Sequence, residues 1–191
     1  LSREGSTGLP GLCCEAAVID DQGNELPPEV AGEIAIRGPN VFFEYWGNEA
    51  ATREALNNGW YRSGDIGRRD ADGYFWVHDR KKNLIISGGE NIYPAEVERV
   101  LLEHPDVAEC GVIGRSDARW DEVPIAYVIR RKGASVDTDC LKAHVQSQLA
   151  RFKVPRDIVF VEDLPRTALG KVQHFMLKRI DAKSPERGGV A

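Results

Sequence analysis

Apolar and polar positions along the chain fall into two regimes. Residues 11–20 form an apolar-rich run that predicts a strand, and Asp21-Gln22-Gly23-Asn24 supplies the turn after it. Gly32-Glu33-Ile34-Ala35-Ile36-Arg37-Gly38 alternates with period two between glycines and predicts a second strand. Asn48 can cap a short helix through about Leu56, ended by Asn57-Asn58-Gly59. Residues 65–69 and 74–78 flank the turn Asp70-Ala71-Asp72-Gly73 and predict a hairpin. The first third of the chain therefore reads as nearly all β.

Beyond residue 82 the period changes. Asn83-Leu84-Ile85-Ile86-Ser87 predicts a short strand running into a Gly-rich connection. Pro94 suits the first position of a helix, and Ala95, Val97, Val100 and Leu101 give it an apolar stripe to about His104. Strands are expected near 107–114, 123–131 and 158–161, and a helix over 138–150 with Leu141, Val145 and Leu149 on one face. A polar loop leads into a last helix near 173–180, and the tail 182–191 is expected to be mobile. The expected class is α+β: a β-rich, barrel-like segment over 1–82 belonging to a larger domain, then a small compact α+β domain over 83–181.

Composition narrows the function classes. Apolar residues at 42% and charged residues at 29% suit a globular chain with a core, and a net charge of -5 argues against attraction to nucleic acid or acidic membrane. No apolar run approaches the length of a membrane span. The N-terminus, Leu1-Ser2-Arg3-Glu4-Gly5, has no initiator Met and no signal character, and reads as an internal start. Cys13, Cys14, Cys110 and Cys140 lack zinc or disulfide spacing, with Cys13 and Cys14 expected on opposite faces of a strand, so a reducing cytoplasm is the expected setting.

Three polar, Gly-containing stretches interrupt the apolar pattern. In Gly59-Trp60-Tyr61-Arg62-Ser63-Gly64-Asp65, an acid is expected to end a tight turn, where its carboxylate could accept two hydrogen bonds from a vicinal diol such as a ribose. Taken alone, it reads equally as a turn Asp bonded to its own backbone. From Asp79 to Pro94, a charge run at Arg80, Lys81 and Lys82 precedes Gly88 and Gly89, whose freedom permits close approach by a ligand. The plainer reading is a strand–helix connection. In Leu164-Pro165-Arg166-Thr167-Ala168-Leu169-Gly170-Lys171-Val172, a loop presents a lysine that could meet a phosphoryl group, or be one surface lysine among many.

Together and in this order, Tyr61-Arg62-Ser63-Gly64-Asp65, Asp79-Arg80-Lys81-Lys82 with Ser87-Gly88-Gly89-Glu90-Asn91-Ile92-Tyr93-Pro94, and Pro165-Arg166-Thr167-Ala168-Leu169-Gly170-Lys171 resemble three signatures of the adenylate-forming (AMP-binding) enzymes. These are the acyl-CoA synthetases, the adenylation domains of peptide synthetases and firefly luciferase. Gly32-Glu33-Ile34 and Trp120-Asp121-Glu122-Val123-Pro124 add to the resemblance, which covers roughly residues 10–180 and is nearest to the acyl-CoA synthetase branch.

The resemblance implies an AMP-forming acid–thiol ligase. A carboxylate and ATP give acyl-AMP and pyrophosphate, and the thiol of CoA then displaces AMP. It implies a nucleotide-binding role for Asp65 and Arg80, a hinge at Lys82 and a pantetheine channel at Gly88 and Gly89. Lys171 becomes the catalytic lysine of the first step. ATP or AMP, CoA and Mg2+ are the implied cofactors, with the magnesium ligand in a missing upstream domain that is this chain's partner. Fatty-acid metabolism is the expected setting, although fatty, aromatic and short-chain acids stay open. The sequence departs from the usual pattern at Ser63, Asp79 and Asp121, none of which carries an implied role. The alternatives are an adenylating enzyme with a carrier-protein or other acceptor, and a non-catalytic interaction module. The isolated chain is expected to be inactive.

Overall fold

A computed structural model describes residues 3–183. The chain divides into two compact units between Lys82 and Asn83, each described on its own.

The first unit is an antiparallel sheet of five strands: β1 (Glu15–Ile19), β2 (Gly32–Arg37), β3 (Leu56–Asn57), β4 (Trp60–Arg69) and β5 (Phe75–Arg80), with β2 between β1 and β4. Successive residues of β1 and β2 serve opposite faces. Ala17, Ile19 and Ala35 pack with Trp60 in one cluster, while Val18, Ile34 and Phe75 form another. Both faces of this part of the sheet are covered, which explains why β1 reads as an apolar run rather than an alternation. β1 starts only at Glu15, because Cys13 sits in a turn at φ +62°; the two cysteines do not share a strand. An α-helix, α1 (Glu49–Ala55), begins where Asn48 accepts a hydrogen bond from the Ala51 amide. The β4–β5 hairpin turns on Asp70, whose carboxylate accepts from the Asp72 and Tyr74 amides. Trp46 is 94% exposed, whereas Trp60 packs against its cluster under the Arg37 guanidinium.

The second unit has a mixed sheet centred on β9 (Asp121–Arg130), with β8 (Val107–Asp117) antiparallel to it and β10 (Asp157–Phe160) parallel on the other side. A hairpin of β6 (Ile85–Ser87) and β7 (Glu90–Ile92) joins at Asp121. Helices α2 (Pro94–Leu102) and α3 (Thr138–Gln146) cover one face. Val97, Val100, Leu101, Leu141 and Val145 meet Val112, Ala126 and Val128 there. Helix α4 (His174–Ala182) covers the other face, where Leu177 packs with Ile113, Ile125 and Tyr127. The helices start where the sequence places them: Pro94 at the first position of α2, and Asp137 accepting from the Cys140 amide ahead of α3.

The α+β class holds for the chain, with a β-rich first unit and helices on both faces of the sheet in the second. Of the expected mobile tail, Ala182 ends α4 and Lys183 caps it, while 184–191 lies outside the described residues. All four cysteines are free: Cys13 and Cys140 are exposed, Cys14 is half-buried, and Cys110 is buried with its thiol pKa pushed far up by that burial. Among the described residues no helix is long and apolar enough to cross a membrane.

Candidate active site

The acid of the first motif does not end a turn. Asp65 lies inside β4, at a wide bulge. In the β2–β4 ladder Ala35 faces Arg62 and Glu33 faces Ile66, so Ser63, Gly64 and Asp65 together stand opposite Ile34. Gly64 takes φ +72°, a left-handed conformation that favours glycine. Such a bulge re-aims the side chain that follows it. On the other edge Asp65 pairs in register with Arg80 of β5, and Arg80 Nε lies 2.9 Å from Asp65 Oδ1. Arg80 also donates to the Ser63 carbonyl at 3.2 Å, and the Ser63 hydroxyl accepts from the Asp65 amide at 3.0 Å. The result is a carboxylate 29% exposed beside a fixed guanidinium. That pairing can accept hydrogen bonds from a diol and offer positive charge to a phosphate at once.

Under the bulge lies Glu33, the one charged residue buried among the described residues, at 6% exposure. Its Oε2 accepts from Arg62 (2.7 and 3.0 Å) and from Lys81 (3.2 Å), and its Oε1 accepts from the Gly64 amide at 3.2 Å. Lys81 also pairs with Asp21 at 2.7 Å. Burial alone would raise the Glu33 pKa, but the hydrogen bonds and charges of Arg62 and Lys81 outweigh it and hold the group below its ordinary 4.5. The stability this contributes is present above pH 4.5 and is lost as pH falls through the lower folded value. Acid unfolding of the chain, followed by tryptophan fluorescence, is expected to be shallower in Glu33→Gln than in the wild type over that window. Equal slopes would contradict the assignment.

An open cleft of about 800 Å³ is lined by Tyr61, Ser63, Arg80 and Lys82 and floored by Glu33. Lys82 is exposed in a one-turn helix, Lys81–Asn83.

In the second unit Gly88 and Gly89 are not a strand–helix connection but the two central residues of the β6–β7 turn, at φ +57° and +85°. This is the tight hairpin geometry with both residues left-handed. The Gly88 amide donates to the Trp120 carbonyl at 2.8 Å, and a Cβ on Gly88 would lie 2.6 Å from the Trp120 ring. Gly88, Trp120, Phe152 and Arg156 border a cleft of about 740 Å³. Lys171 is exposed at the end of a small closed loop. The bridge between Arg166 and Val172 pins its base, the Thr167 amide donates to the Lys171 carbonyl at 2.8 Å, and the Lys171 amide donates to the Thr167 hydroxyl at 3.2 Å. Arg166 is held by Glu109.

The structure thus joins Asp65 with Arg80, sets Gly88 beside Gly89, and carries Lys171 in the other unit from the Asp65–Arg80 pair. Sequence reasoning quoted Gly32-Glu33-Ile34 and Trp120 only as motif support and gave neither side chain a part in the site. The sequence held no local signal for Glu33, because a glutamate in an alternating strand reads as an outward residue. No group of His, Cys, Asp and Glu among the described residues could hold a metal ion.

The chain belongs to the AMP-binding enzymes: residues 1–46 match the model described as AMP-binding enzyme, and residues 96–171 match the AMP-binding enzyme C-terminal domain. It is 44% identical to indoleacetate–CoA ligase of Aromatoleum aromaticum, over 95% of this chain and 36% of the relative. It is 47% identical to 2-succinylbenzoate–CoA ligase of Geobacillus kaustophilus, over 97% of this chain and 38% of the relative. The o-succinylbenzoate CoA synthetase of Bacillus subtilis, solved with the acyl-adenylate intermediate OSB-AMP, superposes with a TM-score of 0.87 at 43% identity. That match covers 92% of this chain and 36% of the synthetase. The chain spans a little over a third of the length of these relatives. The acids they are named for are aromatic, so the expectation of fatty-acid metabolism finds no support.

Proposed function

We propose that this chain is part of an AMP-forming acid–thiol ligase that activates an aromatic carboxylic acid. The observation that carries the proposal is the Asp65–Arg80 pair on the β4 bulge, next to the larger cleft that Ser63, Gly64 and Arg80 line. In this reading the ribose hydroxyls of ATP donate to Asp65, and Arg80 orients that carboxylate and faces the phosphate side. The substrate carboxylate attacks the α-phosphate, a P–O bond to pyrophosphate breaks, and acyl-AMP forms. Lys171 supplies positive charge to the oxygens that gain negative charge in that step. In the second step the CoA thiol loses its proton and adds to the acyl carbonyl, and AMP leaves. The Gly88–Gly89 turn, which has no side chains, borders the passage for the pantetheine arm. Lys82 is the pivot that lets the second unit serve first one step and then the other.

Magnesium would act on the phosphates from the segment that the relatives carry upstream, and that segment is this chain's partner. The chain on its own lacks activity in this reading, because the reactants must be positioned by groups from both parts. The test is ATP–pyrophosphate exchange by the full-length enzyme. Exchange is expected with indoleacetate or 2-succinylbenzoate, followed by a CoA thioester. Absence of exchange across aromatic, fatty and short-chain acids would refute the reading. Exchange without CoA-dependent product would move the acceptor to a carrier protein or another nucleophile.

A further inference from the structure

The wide bulge that presents Asp65 removes part of β4 from its ladder with β2, and a backbone amide left there needs another acceptor. Glu33 provides it. Its Oε1 takes the Gly64 amide, adjacent to Asp65, while its Oε2 takes Lys81, adjacent to Arg80. One buried carboxylate therefore grips the residue next to each member of the Asp65–Arg80 pair. Arg62, which bonds the same oxygen through Nε and Nη2, fixes the carboxylate plane. Asp21 holds Lys81 from the other side.

We infer that Glu33 is a positioning residue for the nucleotide: by tying the Gly64 amide and the Lys81 ammonium to one carboxylate, it sets the spacing and orientation of Asp65 and Arg80 toward the ribose. This rests on the nucleotide reading of that pair. The arrangement differs from a merely stabilising ion pair in two respects. Besides the Arg62 pair, its contacts go to the chain neighbours of the two proposed ligand groups, Gly64 and Lys81. One of them is a backbone amide at a left-handed glycine, which a general hydrophobic replacement could not satisfy. A ligand group held this way loses binding through misplacement, not through loss of its own charge.

The first experiment needs no catalysis. In the 191-residue chain, the Gly64 amide resonance is expected to titrate with the Glu33 carboxyl and to lose that titration in Glu33→Gln. A Gly64 resonance indifferent to both would overturn the geometric basis. The second experiment uses the full-length enzyme. Glu33→Gln is expected to raise KM for ATP by about tenfold while kcat changes by less than about twofold, the pattern of lost uniform binding. Lys81→Met leaves the buried Glu33–Arg62 pair in place and guards against a folding defect in the first variant. It is expected to raise KM by about threefold. If both variants keep the wild-type KM while Asp65→Ala raises it, the positioning role is wrong. A fall in kcat at unchanged KM would overturn it equally. If Asp65→Ala itself leaves KM unchanged, the nucleotide reading of the pair fails, and the Gly64 titration alone then decides whether Glu33 holds the bulge.

Discussion

Lys171→Ala in the full-length enzyme is expected to lower carboxylate-dependent ATP–pyrophosphate exchange by roughly 100- to 1000-fold, the range seen when a preorganised transition-state donor is removed. Thiolysis of supplied acyl-AMP by CoA should change by less than about twofold. The magnitude follows from charge. A lysine ammonium about 4 Å from a developing oxyanion interacts with about 4 kcal/mol at an effective dielectric of 20, which is close to a thousandfold in rate. The asymmetry between the steps follows from where the residue sits. Lys171 ends a loop that is internally closed by Thr167 and by the Arg166–Val172 bridge, so its backbone is carried with its unit. In the proposed alternation that unit is rotated about Lys82 before the thiol attacks, and Lys171 is no longer at the phosphate. Equal losses in both half-reactions would refute the role. Lys171→Arg separates charge from shape: an ammonium acting as a compact point charge is poorly replaced by a planar guanidinium, so this variant should recover only part of the exchange.

Asp65→Ala is expected to weaken ATP binding by about 100-fold, from the loss of two charge-assisted hydrogen bonds worth roughly 1.5–3 kcal/mol each, less some recovery by water. The decisive measurement is a cycle rather than a single affinity. If the Asp65 carboxylate accepts from the ribose hydroxyls, ATP lacking those hydroxyls should bind the wild type poorly, and the alanine variant should bind ATP and this analogue within about twofold of each other. Persistent discrimination in Asp65→Ala would place the ribose elsewhere. Part of the loss will come from Arg80, which the substitution leaves without its partner at 2.9 Å. Arg80→Ala alone should therefore cost less than Asp65→Ala, and the two losses should not add.

Much of this fold is written locally. Asn48 ahead of Glu-Ala-Ala, Pro94 before Val97 and Val100, and Asp70 with Gly73 between two apolar runs each specify an element through a nearby hydrogen bond or a fixed dihedral. The parts that were not legible depend on pairing across a turn that neither strand announces by its own side chains. β7 carries one buried side chain, Ile92, in three residues and is a strand only because β6 folds back on it. The polar ends of β8 and β9, from Arg115 to Glu122, look like loop and are held in the ladder by each other.

The site divides in the same way. Its residues stand out as motif members, but the pairing of Asp65 with Arg80 comes from strand register and a bulge, and neither can be read from either strand alone. Glu33 was hidden for a related reason. In an alternating strand a glutamate counts as an outward residue until the opposite strand bulges and supplies donors beneath it.

The four cysteines have a practical consequence for following motion in this protein. Cys110 is buried and poor at forming a thiolate, so it should ignore maleimides that reach the surface thiols. Exposed Cys13 belongs to the first unit and exposed Cys140 to the second. With half-buried Cys14 changed to serine, the chain presents one natural attachment point on each side of Lys82. In the full-length enzyme, with any other reactive cysteines replaced, a donor and an acceptor dye placed there would turn the proposed alternation into a change in energy-transfer efficiency, read in solution as ATP, acid and CoA are added in turn.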